Sequence, residues 1–284
     1  MSKILACDLD GTLFYPKGRK QLISDKNIVF LRKFIDSGNR VVFVSSRGRE
    51  TIEKAIKEVD RSIDYISVNG CVICVDGNIV RDTSIPNNTL EYIVNNIVKD
   101  HKPLALLSSS YNYPITIAIY AAAGRLLKWF YKTYYDLAFG IYAEKYIVDN
   151  DVFDKEMKDG KVYTIRVFTG LSRKKTNKIN KELNKILREQ YPNLEASWVG
   201  PLIELTPQGC SKAASLIDYL NMINASRDDV YVIGDSGNDI SMFNEFHDHS
   251  FVMKHAYPSV KKYASNEVSR VYKLDKYLLE KEKK

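Results

Sequence analysis

An apolar run ends in two aspartates one residue apart, Ile4-Leu5-Ala6-Cys7-Asp8-Leu9-Asp10-Gly11-Thr12. A buried strand has no use for a carboxylate, because an unpaired buried charge is costly. Side chains at i and i+2 of an extended segment point the same way. Asp8 and Asp10 are therefore expected to project together from the carboxyl end of a strand, where open α/β sheets hold their ligands. Two converging carboxylates suit a divalent cation, and one can act as nucleophile and the other as acid or base.

The surrounding pattern is β-α-β-α-β. A strand over 3–8 is followed by a helix near 25–37, with Ile28, Leu31, Phe34 and Ile35 as its apolar stripe and Gly38 as its stop. Val41-Val42-Phe43-Val44 is apolar without alternation, which suits a strand covered on both faces. A helix near 49–58 and a strand at 65–68 follow, and the alternation implies a parallel sheet with right-handed crossovers. Asp76-Gly77 between two short apolar runs predicts a hairpin. From 85 to 199 the chain is tyrosine-rich and carries no carboxylate motif of the first kind. A helix near 88–99, a strand, turn and helix start within 103–124, a strand near 162–168 and a helix near 174–189 predict a separate α+β unit. In the last of these helices Ile179, Leu183, Ile186 and Leu187 are expected to face inward, with Lys174, Lys178, Lys181 and Lys185 off that face. Tyr131, Tyr134 and Tyr135 are expected to serve packing. After residue 200 the first pattern resumes, with a helix over Ser211–Asn221 and a strand Val230-Tyr231-Val232-Ile233; the tail from Leu274 to Lys284 is a short charged helix or a frayed end. The expected organisation is one core domain from 1–84 and 200–284, with 85–199 inserted. Its fold class is α/β, a Rossmann-like doubly wound parallel sheet.

Four polar segments follow strands or open helices: Asp8-Leu9-Asp10-Gly11-Thr12, Ser45-Ser46-Arg47-Gly48, Lys212, and Gly234-Asp235-Ser236-Gly237-Asn238-Asp239. Strand ends of a parallel sheet gather at one edge, so these segments can share a pocket. Phosphoryl transfer needs an in-line nucleophile, a cation and fixed donors for the nonbridging oxygens. Asp8 and Asp235 can hold Mg²⁺, Ser45 and Lys212 can hold phosphoryl oxygens, and Gly11 lets backbone approach closely. Asp10 can give a proton to the leaving alkoxide and later take one from water. Arg47 either reaches substrate or pairs with an acid, and Asn69 is either a turn residue or part of the pocket floor.

In order and in spacing these segments resemble the four motifs of the haloacid dehalogenase-like superfamily. Ser45-Ser46-Arg47, Asn69-Gly70 and Gly209-Cys210-Ser211-Lys212 resemble its Cof-type phosphatases, and the insertion lies where their type-two caps lie. The resemblance implies a cap domain at 85–199 and a Mg²⁺-dependent phosphatase with an aspartyl-phosphate intermediate. It makes Asp8 the nucleophile and a metal ligand, and Asp10 the acid/base with its backbone carbonyl on the metal. Asp235 becomes a ligand, and Asp239 orients it or the metal waters. Ser45 and Lys212 bind the phosphoryl group, and Asn238 supports Lys212 or the phosphate. This sequence departs from the family at Ser46, where glycine is usual, and at His255, where asparagine is usual. His255 is thereby a candidate for contact with substrate. The segment after Ser265 lacks the usual Asp-Gly-Val.

The implied substrate is a small phosphate monoester, such as a sugar phosphate. The alternatives are a hexose phosphomutase and a silent phosphate-ligand binding protein. A net charge of +7 over 284 residues is modest, and no basic block is interleaved with aromatics, so nucleic acid is not an expected partner. No obligate protein partner is evident. The prolines and serines within 103–124 argue against a membrane span, and the N-terminus enters a strand with no signal peptide. Four cysteines in a chain of this length do not make a disulfide framework, and Cys71 and Cys74 lack a second pair for zinc. Reduced thiols in a cytoplasmic protein are the expectation.

Overall fold

Each continuous apolar run becomes a buried strand of one sheet. The computed structural model describes residues 2–120, 128, 129, 133, 140–169, 173–199 and 202–279. It divides into two compact units, Met1–Asp82 with Ser211–Lys284, and Thr83–Cys210.

The first unit holds β1 (Ile4–Cys7), β2 (Arg40–Val44), β3 (Asp64–Ser67), β4 (Val72–Val75), β5 (Asn78–Asp82), β12 (Val230–Gly234), β13 (Ser250–Met253) and β14 (Asn266–Val268). Their order across the sheet is β14-β13-β12-β1-β2-β3-β4-β5. Strands β14 to β3 are parallel and the β4–β5 hairpin closes one edge antiparallel. The hairpin turn has φ of +48° at Asp76 and +80° at Gly77, the left-handed pair that a tight hairpin requires. From β1 the chain winds outward through β2 and β3, and on its return it fills the other side with β12, β13 and β14. The reversal falls between β1 and β12, the position where doubly wound sheets open a crevice.

Helices α1 (Asp25–Asp36) and α2 (Arg49–Val59) follow β1 and β2, and α6 (Lys212–Met222) and α7 (Ile240–Glu245) flank β12 in sequence. One face of the sheet packs Ile4, Ala6, Val42, Val44, Ile66 and Val232 against Leu216, Tyr219, Leu220 and Phe243. Strand alternation sends Leu5, Val41 and Phe43, all buried, to the opposite face. Three polar ties fasten α6. The Tyr219 hydroxyl donates to Asp64 Oδ2 at 2.6 Å, Ser215 Oγ donates to the Gly70 carbonyl at 3.2 Å, and Arg81 pairs with Asp218 at 2.6 Å. Gly70 has φ of +102°, and a Cβ there would overlap the Ser215 side chain.

The second unit holds β6 (Ala105–Ser110), β7 (Ile115–Ile119), β8 (Tyr146–Val148), β9 (Val162–Phe168), β10 (Leu194–Val199) and β11 (Leu202–Pro207) in the order β10-β11-β9-β6-β7-β8. Its helices are α3 (Asn87–His101), α4 (Asn150–Asp159) and α5 (Arg173–Gln190). Leu106, Ala118, Ile165, Val167, Ile203 and Leu205 form its core with Leu90, Ile93, Phe153 and Leu187. The boundary expected at residue 200 is corrected. Strand β11 pairs antiparallel with both β10 and β9, so the chain leaves this sheet only after Pro207. Ile186, expected inward with Leu183 and Leu187, is 37% exposed; the buried stripe is the narrower i, i+4 pair. Within 103–124, where a strand, a turn and a helix start are expected, the structure holds two strands, β6 and β7, through Ile119. Residues 121–124, Tyr131, Tyr134 and Tyr135, the side chains of Lys174, Lys178, Ile179 and Lys181, and the tail beyond 279 lie outside the described residues.

Replacing Gly70 by alanine should strain both the backbone and the Ser215 contact. The expected loss is about 2–4 kcal/mol of stability, read from the urea midpoint.

Candidate active site

The Lys212 ammonium is the centre of the site. It is the first residue of α6, whose start is capped by the Ser211 hydroxyl accepting from the Ala214 N–H at 3.3 Å. Its Nζ donates to Asp8 Oδ1 and to Asp239 Oδ1, both at 2.6 Å, and the side chain is 1% exposed. Asp8 follows β1 directly and is anchored by its N–H to the Ile233 carbonyl at 3.0 Å. The chain then winds tightly through Leu9–Leu13, with Gly11 at φ +77°. A Cβ on Gly11 would overlap the Asp235 carboxylate, and one on Gly234 would overlap that of Asp239. Both glycines are thus required by close approach to carboxylates. For Gly11 this is a tighter constraint than room for a ligand.

Asp10 does not turn to Lys212. Both of its oxygens accept from Arg47, from Nε and Nη2 at 2.6 Å each. The fork geometry is the strong form of this pair, and Arg47 is here the partner of an acid. Ser45, one residue past β2, is buried and its Oγ accepts from the Arg47 N–H at 3.1 Å. Asn69 is buried with φ of +56°, in a turn whose backbone ties to Ser45 and Arg47.

Asp239 is fully buried and committed at both oxygens. Oδ1 takes Lys212, and Oδ2 accepts from the N–H groups of Asp235 and Ser236 at 3.0 Å. It therefore fixes the Asp235 loop. Asn238 accepts from the Ser236 hydroxyl at 2.6 Å, whereas Lys212 donates to Asp8 and Asp239. His255 Nε2 lies 3.7 Å from Asp235 Oδ2. The His255 ring stacks on Tyr15, and Arg270 lies over the same tyrosine. No local pattern in the sequence marks Tyr15 or Arg270; only the juxtaposition of three loops brings them to the site.

Burial pushes the Asp8 carboxyl well up, Asp239 and Asp235 add to this, and Lys212 opposes it. Burial works against the charge on Lys212, but Asp239 and Asp8 outweigh it and hold the ammonium charged. Burial, with Asp239 and Asp10 nearby, pushes Asp235 up to about 7 against the opposing pull of Lys212. Burial holds the His255 imidazole below its ordinary value. Ligand oxygens of Asp8, Asp235 and Asp239 lie within 4.8 Å of one another. Asp8 Oδ2 and Asp235 Oδ1 are buried with no hydrogen-bond partner. Two partnerless carboxylate oxygens, each made costly by its neighbours, are a donor set that fits a hard cation such as Mg²⁺. The oxygens of Asp239 are already engaged, which leaves Asp8 and Asp235 as the side chains that could hold such a cation.

The Asp235 shift carries a sign for stability. Its folded value of about 7 exceeds the ordinary 3.8, so the folded state keeps a proton that the unfolded chain has lost. The contribution is present below the ordinary value and disappears as pH rises through the folded one. In chelator, Asp235→Asn should therefore match the parent at pH 4 and exceed its stability at pH 8 by about 1–3 kcal/mol, read by thermal unfolding at both pH values.

The sequence over residues 5–273 matches the haloacid dehalogenase-like hydrolase family. A Mycoplasma capricolum protein is 26% identical over 262 residues, covering 90% of this chain and 92% of its own. The 5-amino-6-(5-phospho-D-ribitylamino)uracil phosphatase YwtE of Bacillus subtilis is 24% identical over 283 residues, covering 91% and 90%. A solved phosphatase of the same superfamily from Bacteroides thetaiotaomicron shares the fold at a TM-score of 0.74 and 19% identity, over 98% of this chain and 95% of that one. With the family match running through β1, α6 and the β12 loop, the chain belongs to the haloacid dehalogenase-like hydrolases.

Proposed function

We propose that this chain is a Mg²⁺-dependent phosphatase acting on a small phosphorylated metabolite, a sugar phosphate or a similar monoester, through an aspartyl phosphate on Asp8. One observation carries the reading. Lys212 engages Asp8 Oδ1 and leaves Oδ2 buried and partnerless, beside the equally partnerless Oδ1 of Asp235. A phosphatase name on the Bacillus subtilis relative, at 24% identity, supports the reaction class.

In this reading a carboxylate oxygen of Asp8 attacks phosphorus and the bond from phosphorus to the ester oxygen breaks. Asp10 supplies the proton that the leaving alkoxide needs. It then takes a proton from the water that attacks phosphorus, and the bond from phosphorus to the Asp8 oxygen breaks to release inorganic phosphate. Asp10 is held through both oxygens by Arg47, so each proton transfer exchanges one of those hydrogen bonds for one to the reacting oxygen. Ser45 and Lys212 donate to the phosphoryl oxygens. Mg²⁺, held by Asp8, Asp235 and the backbone carbonyl of Asp10, supplies charge neutralisation on the nonbridging oxygens. The second unit, Thr83–Cys210, is in this reading the cap that selects the leaving group. The four cysteines are buried and none is in a disulfide, which supports a cytoplasmic setting; among the described residues no helix is long and apolar enough to cross a membrane.

The test is a panel of phosphate monoesters scored by phosphate release. Release is expected with Mg²⁺ and not in chelator, and Asp8→Asn should lower kcat by about a thousandfold or more. Undiminished release by Asp8→Asn would overturn the assignment, and isomerisation of a hexose phosphate without release would favour the mutase.

A further inference from the structure

Three side chains that the phosphoryl-transfer chemistry leaves idle are stacked beside Asp235. The guanidinium carbon of Arg270 lies 4.6 Å from the centre of the Tyr15 ring. The rings of Tyr15 and His255 are 3.9 Å apart between centres and tilted by 32°. They come from different loops, Tyr15 after β1, His255 after β13 and Arg270 after β14. In the sheet order β14-β13-β12-β1, the strand that these loops straddle is β12, and the residue just past β12 is Asp235. The stack therefore bridges the loop that carries one of the two partnerless carboxylates.

His255 sits at the corner of a turn closed by the Ala256 N–H on the Met253 carbonyl at 2.9 Å. A corner side chain is free to point into water. This one is 30% exposed and placed with Nε2 3.7 Å from Asp235 Oδ2. That distance is a packing contact and not a hydrogen bond. Asp235 needs such a contact. Its neighbours Asp239 and Asp10 repel it, and Gly11, having no Cβ, sets only one wall. A carboxylate in that field turns away unless a second wall holds it.

We propose that His255, fixed by Tyr15 and Arg270, is a positioning residue that packs against Asp235 and aims Asp235 Oδ1 at the cation position beside Asp8. This rests on the reading of Asp8 and Asp235 as the Mg²⁺ pair. It gives His255 a role distinct from contact with substrate.

Calorimetric titration of the full chain with Mg²⁺ tests it. Loss of a group that orients a ligand weakens metal binding by about 10-fold or more. His255→Ala should raise the Mg²⁺ Kd by about tenfold with no matching rise in KM for a phosphate ester. His255→Asn, which keeps a planar polar side chain at the turn corner, should recover most of that loss. Tyr15→Ala removes the ring on which His255 rests and should weaken Mg²⁺ in the same direction. Asp235→Asn separates the two levels of the argument. If it loses Mg²⁺ while His255→Ala binds like the parent, or raises only KM, the positioning role is overturned and the metal pair stands. If Asp235→Asn itself binds Mg²⁺ like the parent, the metal reading fails and the positioning role fails with it.

Discussion

The buried ammonium of Lys212 between Asp8 and Asp239 is the interaction on which the rest of the site depends. It joins the end of β1, the start of α6 and the loop after β12, three segments distant in sequence. A buried ion pair is weak evidence for net stability, since desolvation cancels much of its attraction, while removing one partner leaves an uncompensated charge. The fold tolerates the arrangement because each member is anchored elsewhere. Asp8 is held by its backbone to β12, Asp239 by two N–H groups, and α6 by Tyr219, Ser215 and Asp218. Contacts along α6 toward Asp64, Gly70 and Arg81 thus fix where the ammonium at its first turn can reach.

The core was legible where apolar runs are continuous. Ile4–Cys7, Val41–Val44 and Val230–Ile233 have no reading other than strands covered on both faces, and Asp76-Gly77 has the backbone preference of its turn. Strands β8 and β14 are three residues each, too short for a run to mark them; they exist because a neighbouring strand offers an edge. The boundary near 200 is hidden for a related reason. Antiparallel pairing of β11 with β9 joins residues almost 40 apart in sequence, and local composition holds no trace of it.

The site was legible to the extent that chemistry is written in short segments. Asp8, Asp10, Ser45, Lys212 and Asp235 each stand at a strand end or helix start, and the strand order explains why they meet. Partner choice was not legible. Whether Arg47 takes substrate or Asp10, and whether Asp239 serves Lys212 or a metal water, depends on distances of a few ångströms set by the wound turn at Gly11 and the turn at Ser236. Tyr15, His255 and Arg270 lie on separate loops, and their stacking is a product of sheet order alone.

Charge accounting gives the arrangement its direction. Asp8, Asp10, Asp235 and Asp239 face two fixed cations, Arg47 and Lys212. Arg47 is consumed by Asp10, and Lys212 is shared by Asp8 and Asp239. Asp235 is left without a cation of its own, and burial with Asp239 and Asp10 nearby raises its carboxyl to about 7; burial raises the Asp8 carboxyl as well, against the pull of Lys212. With every group ionised, the cluster has two negative charges in excess, the charge that one divalent cation cancels. The oxygens without hydrogen bonds, Asp8 Oδ2 and Asp235 Oδ1, belong to the two acids that a cation between them would reach. Holding this surplus in place costs stability, and a divalent cation bound there would lower that cost. Gly11 and Gly234 reduce the distance over which the repulsion must be held, because any larger residue would push Asp235 or Asp239 out of the cluster.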